Sequence, residues 1–206
     1  GGYRDYTDRE NWIGQGNLVW QAGGDTLEST LLLGFEVSRQ DTRNGRDTVS
    51  FTRAPGTGGL APNETPLGET IFIPPYTLDA GARLRDSQLE TLSFYLQEQL
   101  QIGDHVELVG GLRWDRFDLD TLDLVSGVAG DRVDEKVSPR FGVIVKPNRD
   151  LSIYASYAES FLPQAGDQFL VLSPTSAQFE PEKFTNYELG VKWAPLAKVL
   201  VTAAVF

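Results

Sequence analysis

The stretch Arg140–Phe161, "RFGVIVKPNRDLSIYASYAESF", decides the fold. Side chains of an extended strand alternate sides, so Phe141, Val143 and Val145 share one face while Arg140, Gly142, Ile144 and Lys146 take the other. After the polar knot Pro147-Asn148-Arg149 the pattern resumes, with Leu151, Ile153, Ala155 and Tyr157 at matching parity. This predicts a hairpin that pairs Val145 with Leu151 and Val143 with Ile153, both apolar faces on one side. Only Ile144 and Tyr154 interrupt the polar side. Where the apolar face points then becomes the question for the whole chain.

The same alternation predicts about eight strands, at Asn11–Ala22, Leu27–Gln40, Ser87–Ile102, His105–Asp118, Lys136–Lys146, Leu151–Ser160, Lys183–Trp193 and Lys198–Phe206. In the first hairpin Trp12, Leu18 and Trp20 face Leu31, Leu33, Phe35 and Val37. In the second, Leu92, Phe94, Leu96, Leu100 and Ile102 continue into Val106, Leu108, Leu112 and Trp114. Connections within hairpins are short ("GGDT", "GDH", "PNR", "PLA"), whereas those between hairpins, near 41–86, 119–135 and 161–182, are long. Loops of that length are generally functional or disordered.

Composition narrows the class. The 206 residues include no Cys, which removes disulfide frameworks and thiolate metal sites. No Met and no basic-then-apolar leader is present, which fits an excised or mature segment. No run approaches the roughly 18 apolar residues of a membrane helix, so any spanning is by strands. A formal charge of −11 disfavours nucleic acid as a partner. The sequence holds no nucleophile elbow, no paired catalytic acids on a helix and no Ser-His-Asp arrangement, so no enzyme and no cofactor are expected.

A soluble barrel or sandwich turns its apolar face inward; a membrane barrel turns it to lipid and keeps a polar lumen. Strands longer than the usual five or six residues or so, loops alternating short and long, and aromatic residues gathered near strand ends favour the membrane. Those aromatics are Trp12, Phe94, Trp114, Tyr157 and Tyr187 toward the long loops, with Trp20 and Trp193 toward the short turns. A self-contained eight-stranded outer-membrane barrel, a porin fragment and a soluble β-sandwich or lipocalin-like module stand as rivals.

The stretches "EKVSPRFGVIVKPNRDLSIYASYAESFLPQAGDQFL" and "FEPEKFTNYELGVKW" closely resemble the barrel of TonB-dependent siderophore receptors. "LLLGFEVSRQ" and "LSFYLQEQLQIGDHVELVGGLRWD" resemble it too, in the right order. The resemblance implies that residues 1–206 are part of an all-β, antiparallel transmembrane barrel, an open curved sheet when isolated. It further implies location in the outer membrane of a Gram-negative bacterium, import of a ferric siderophore with energy from TonB, and contact with a plug domain, outer-membrane lipid and lipopolysaccharide.

Candidate site residues follow from these readings. Glu28, Glu36, Glu107, Arg113, Asp115, Arg140, Lys146, Glu188 and Lys192 fall at lumenal parity; of these Glu107, Arg113, Asp115, Arg140, Glu188 and Lys192 are the expected plug-facing set. In the long loops and upper wall, Phe51, Phe72, Tyr76, Arg83, Gln168, Phe169 and Phe179 are the expected ligand contacts, since a bulky chelate is held by aromatic faces and a few directed polar groups. Glu98 sits at lipid parity, where the interface or a local bulge would accommodate it. No metal site is expected: His105 is the sole histidine, and Asp120, Asp123, Asp131, Asp134 and Glu135 lack the spacing of a calcium loop and read as a solvated acidic loop.

Overall fold

A computed structural model describes residues 2–51, 75–162 and 180–206. Eight strands form one antiparallel sheet in chain order: β1 Gly2–Gly24, β2 Leu27–Phe51, β3 Tyr76–Ile102, β4 Val106–Asp123, β5 Ala129–Asn148, β6 Leu151–Leu162, β7 Glu182–Leu196 and β8 Val199–Val205. Each strand pairs only with its sequence neighbours, so the sheet is open and β1 does not meet β8. The self-contained barrel predicted that contact. No described helix is long and apolar enough to cross a membrane, a fact silent about strands.

Register places the apolar side chains in continuous rows. Leu18, Leu33, Leu96, Leu112 and Pro139 lie side by side across β1 to β5, and Phe35, Phe94, Trp114 and Val137 form the next row. Phe94 and Trp114 stack at 6.1 Å, and Phe141, Tyr157 and Tyr187 continue the aromatic run at 6.4 and 5.1 Å.

Burial then shows which way the faces look. Phe94 is 52% exposed and Leu112 50%, while the adjacent Ser93 and Asp115 are 0% and 4% exposed. Among the described residues Leu119 is the one buried hydrophobic, against seven buried polar or charged residues. Polar side chains thus shield one another, as on the hollow side of a curved sheet, and the apolar ones fan outward. A soluble sandwich requires the reverse.

Two features of the sheet differ from expectation. Val145 pairs with Ile153 and Val143 with Ala155, a two-residue offset from the predicted hairpin. Pro147 has no N–H to give the ladder, so β5 bulges between Val145 and Asn148, Asn148 pairs with Leu151, and the turn shrinks to Arg149 and Asp150. Asn148 Oδ1 then accepts the Asp150 N–H at 3.0 Å. Pro195 accompanies a matching irregularity between Trp193 and Leu196 in β7.

The strands also run further than their apolar pattern. Residues 41–51 and 76–86 are paired strand, interrupted by an irregularity between Arg46 and Thr48, and 119–122 pairs with 129–132. The acidic residues Asp120, Asp123, Asp131, Asp134 and Glu135 accordingly belong to strands. In these extensions the outward face becomes ionic: Arg43 forks onto Asp86 at 2.7 Å through each nitrogen, and Arg39 reaches Asp41 at 2.9 Å and Glu90 at 3.6 Å. The apolar band therefore ends near Val37, Leu92 and Trp114, and the ladders continue beyond it.

Candidate functional site: the polar wall and its upper extension

All nine residues assigned to lumenal parity lie on the polar face: eight pair across the ladder with another residue of that face, and Lys146 reaches Glu107 there. Level with the apolar band this face carries Arg113, Lys136, Arg140, Lys146 and Lys192 against Glu28, Glu36, Glu107, Asp115 and Glu188, a balanced set. On the opposite face, between the aromatics Phe94, Trp114, Tyr157 and Tyr187 and the short turns, Glu98 is the single charge among the described residues, while Glu159 and Lys183, paired at 2.8 Å, share that face just beyond Tyr157 and Tyr187. One charge against ten is the asymmetry expected where one side meets hydrocarbon, since an Arg or Lys there costs about 2–4 kcal/mol at midplane.

Three polar clusters give the wall its rigidity. In the first, Arg113 Nε donates to Asp115 Oδ1 at 2.7 Å and Nη2 donates to Ser93 Oγ at 2.9 Å, while the Ser93 hydroxyl donates to the same carboxylate oxygen at 2.6 Å. The guanidinium also lies 3.7 Å from Glu36 Oε1 and 5.4 Å from the Tyr95 ring centre. In the second, Gln99 and Lys146 both donate to Glu107, at 2.7 and 3.3 Å. In the third, the Tyr154 hydroxyl donates to Glu188 at 2.6 Å with Lys192 over its ring at 5.7 Å.

Glycines let the large members of these clusters lie flat. A methyl at Gly34 would come within 2.2 Å of Tyr95 Cε2, and one at Gly190 within 2.3 Å of Tyr154 Cζ. Each tyrosine covers the glycine on the adjacent strand, the aromatic rescue of a bare strand position. Arg140 crosses Gly111 in the same way, with Nε 2.8 Å from where a methyl would sit.

Above the band, Arg83 lies on the polar face opposite Arg46, and both approach Asp5. Arg46 donates to Asp5 through two nitrogens at 2.6 Å and stacks on Tyr3 at 4.0 Å, and Arg83 is 3.6 Å from the same carboxylate. The hydrogen bond from Arg46 is the main reason the Asp5 carboxyl is held below its ordinary value. Asn44 donates to Thr7 at 2.8 Å nearby, and Thr42 Oγ1, Asn44 Oδ1, Arg83 Nε and Ser87 Oγ are buried without a partner.

Of the other expected ligand contacts, Phe51 and Tyr76 pair across β2 and β3 and pack edge to face at 6.3 Å, so they cover each other at the strand tips. Phe72, Gln168, Phe169 and Phe179 lie outside the described residues. The expectation missed Ser93, Tyr95, Tyr3, Asp5 and Arg46. Strand parity alone places them on the polar face, but their partners are far apart in sequence. No group of three or more His, Asp or Glu among the described residues is arranged to hold a metal ion.

A family model described as "TonB dependent receptor-like, beta-barrel" matches residues 1–206. The probable TonB-dependent siderophore receptor PiuA of Acinetobacter baumannii is 31% identical over 131 residues, covering 59% of this chain and 18% of that protein. The ferrichrome outer membrane transporter/phage receptor of Escherichia coli K12 is 32% identical over 125 residues, covering 60% of this chain and 16% of that protein. The crystal structure of PiuA superimposes with a TM-score of 0.79 at 24% identity, over 97% of this chain and 31% of that one. The chain thus spans under a third of the length of these relatives, and the structural likeness speaks for the fold.

Proposed function

The chain belongs to the TonB-dependent receptor β-barrel family, and from that premise we propose that it is part of the wall of an outer-membrane receptor that binds a ferric siderophore and imports it with energy from TonB. The segregation of charge between the two faces carries this reading. The apolar band faces lipid, and between the open edges at β1 and β8 the backbone pairs strand to strand. The balanced polar face lines the lumen, where Arg113, Asp115, Glu107, Arg140, Glu188 and Lys192 meet a plug domain. Clustered side chains there hold their geometry while a plug is displaced, because Asp115 and Glu107 each have partners within the wall.

Ligand capture falls to the upper extension. Arg83 beside Arg46 and Asp5, together with the unsatisfied Thr42, Asn44 and Ser87, presents directed polar groups suited to the oxygen-rich surface of a metal chelate. The names of the relatives, a siderophore receptor and a ferrichrome transporter, support iron chelates as cargo. Iron-limited growth of a strain relying on the full-length receptor tests this. Growth on at least one ferric siderophore, abolished without TonB and reduced several-fold by Arg83→Ala, is the expected result; indifference to every chelate tried, or growth independent of TonB, contradicts it.

A further inference from the structure

Between the upper aromatics Phe94, Trp114, Tyr157 and Tyr187 and the short turns, Glu98 is the single charge on the apolar face among the described residues. No bulge excuses it: β3 and β4 pair without a break from Arg85 to Ile102, and Glu98 faces Leu31 on one side and Gly110 on the other. Its carboxylate is held in place, since the outward Ser29 donates to Oε1 at 2.5 Å. No lysine or arginine among the described residues forms an ion pair with it.

Beside this carboxylate the surface is hollow. A groove of about 570 Å³ opens between two outward rows, one formed by Glu98, Gly110, Phe141 and Tyr157 and the other by Leu100, Leu108, Val143 and Ala155. Gly110 leaves the gap because no side chain rises from it, and the nearest side-chain atom to a methyl there would be Phe141 Cδ1 at 3.9 Å. The groove crosses four strands, roughly 14 Å at the ordinary inter-strand spacing. Strands of a membrane barrel are tilted by about 35–45°, so this groove climbs obliquely through the band from its Glu98 end.

Depth identifies what Glu98 meets. It stands four residues short of the turn end of β3, as Trp20 stands four short of the turn end of β1. Tryptophans at that depth mark the headgroup level of a bilayer. A carboxylate at headgroup level, at the mouth of an apolar groove that runs toward midplane, matches a molecule with a cationic hydrogen-bond donor joined to an acyl chain.

Resting on the lipid-facing reading above, we infer that this groove holds one phospholipid with a primary-ammonium headgroup, its ammonium on Glu98 and an acyl chain along Gly110, Phe141 and Tyr157. A quaternary ammonium has no N–H to donate, and an anionic headgroup is repelled.

The test uses the full-length receptor, taken from bilayers containing equal amounts of phosphatidylethanolamine, phosphatidylcholine and phosphatidylglycerol and analysed by native mass spectrometry. Wild-type protein retains phosphatidylethanolamine about fivefold over phosphatidylglycerol, the size of one charge contact at the membrane surface. Glu98→Gln brings that ratio to the bulk value, and Gly110→Leu, which fills the groove, lowers retention of all three lipids. Retention in bulk proportion by the wild type, or an unchanged preference in Glu98→Gln, overturns the inference and leaves the barrel reading standing. Absence of any retained lipid, with water-exposed spin labels at Leu96 and Leu112, overturns both.

Discussion

At the scale of single residues, the wall is fixed by charges that share partners. Asp115 accepts from both Ser93 and Arg113, so Asp115→Ala removes two charge-assisted hydrogen bonds and leaves the guanidinium with Ser93 and a distant Glu36. A loss of about 1–3 kcal/mol is expected, with Ser93→Ala costing less, measured by equilibrium unfolding of the full-length receptor in lipid. Beyond the band, the backbone N–H of Ser126 and then the Arg85 guanidinium pull the Asp123 carboxyl from 3.8 down to about 2. A depressed carboxyl stabilises the fold above its unfolded value and ceases to do so as pH falls through the folded one. The β4–β5 turn is therefore expected to stay intact at pH 3 and to loosen near pH 2, with NMR titration of Asp123 as the check; a midpoint near 3.8 would show that these contacts do not form. Parity made the polar face legible from the sequence, since Arg113, Asp115 and Glu188 alternate with apolar neighbours. Their partners were not legible, because Ser93 meets Asp115 only when β3 and β4 come into register.

At the scale of strands and hairpins, the apolar alternation located every strand but understated its extent and set the hairpin of β5 and β6 two residues out of register. "DTRNGRDTVSF", Asp41 to Phe51, has no apolar period, so it reads as loop although it belongs to β2. Outside the lipid a strand has no need of an apolar face, and ion pairs such as Arg43 with Asp86 take the place of cross-strand packing. Pro147 likewise read as part of the turn Pro147-Asn148-Arg149 and lies instead in a bulge within β5. Pairs of glycine and tyrosine are a third feature that only space reveals. Gly34→Ala places a methyl against the Tyr95 ring and is expected to destabilise the hairpin of β2 and β3, and adding Tyr95→Ala should restore part of the loss. A double-mutant cycle on refolding into vesicles checks this; strictly additive effects would mean that the ring does not cover the glycine. The lipid face makes its own prediction. Leu112→Arg should cost about 2–4 kcal/mol in the same assay, whereas Gln97→Arg, on the polar face of the neighbouring strand, should cost little.

At the scale of the molecule, eight strands in simple order make an open sheet, polar on its shielded side and apolar on its exposed side. A soluble protein cannot leave such a face uncovered without associating, and in the receptor proposed above the outer membrane covers it. That inversion is the central claim, and adjacent residues of one strand test it. Single nitroxide labels at Leu96, Gln97, Leu112 and Arg113 of the full-length receptor in bilayers should divide by parity. Leu96 and Leu112 should collide mainly with oxygen dissolved in lipid, and Gln97 and Arg113 with a water-soluble nickel chelate. The opposite division, with Leu96 and Leu112 sealed from lipid and Gln97 and Arg113 facing it, would show that the apolar face is a core.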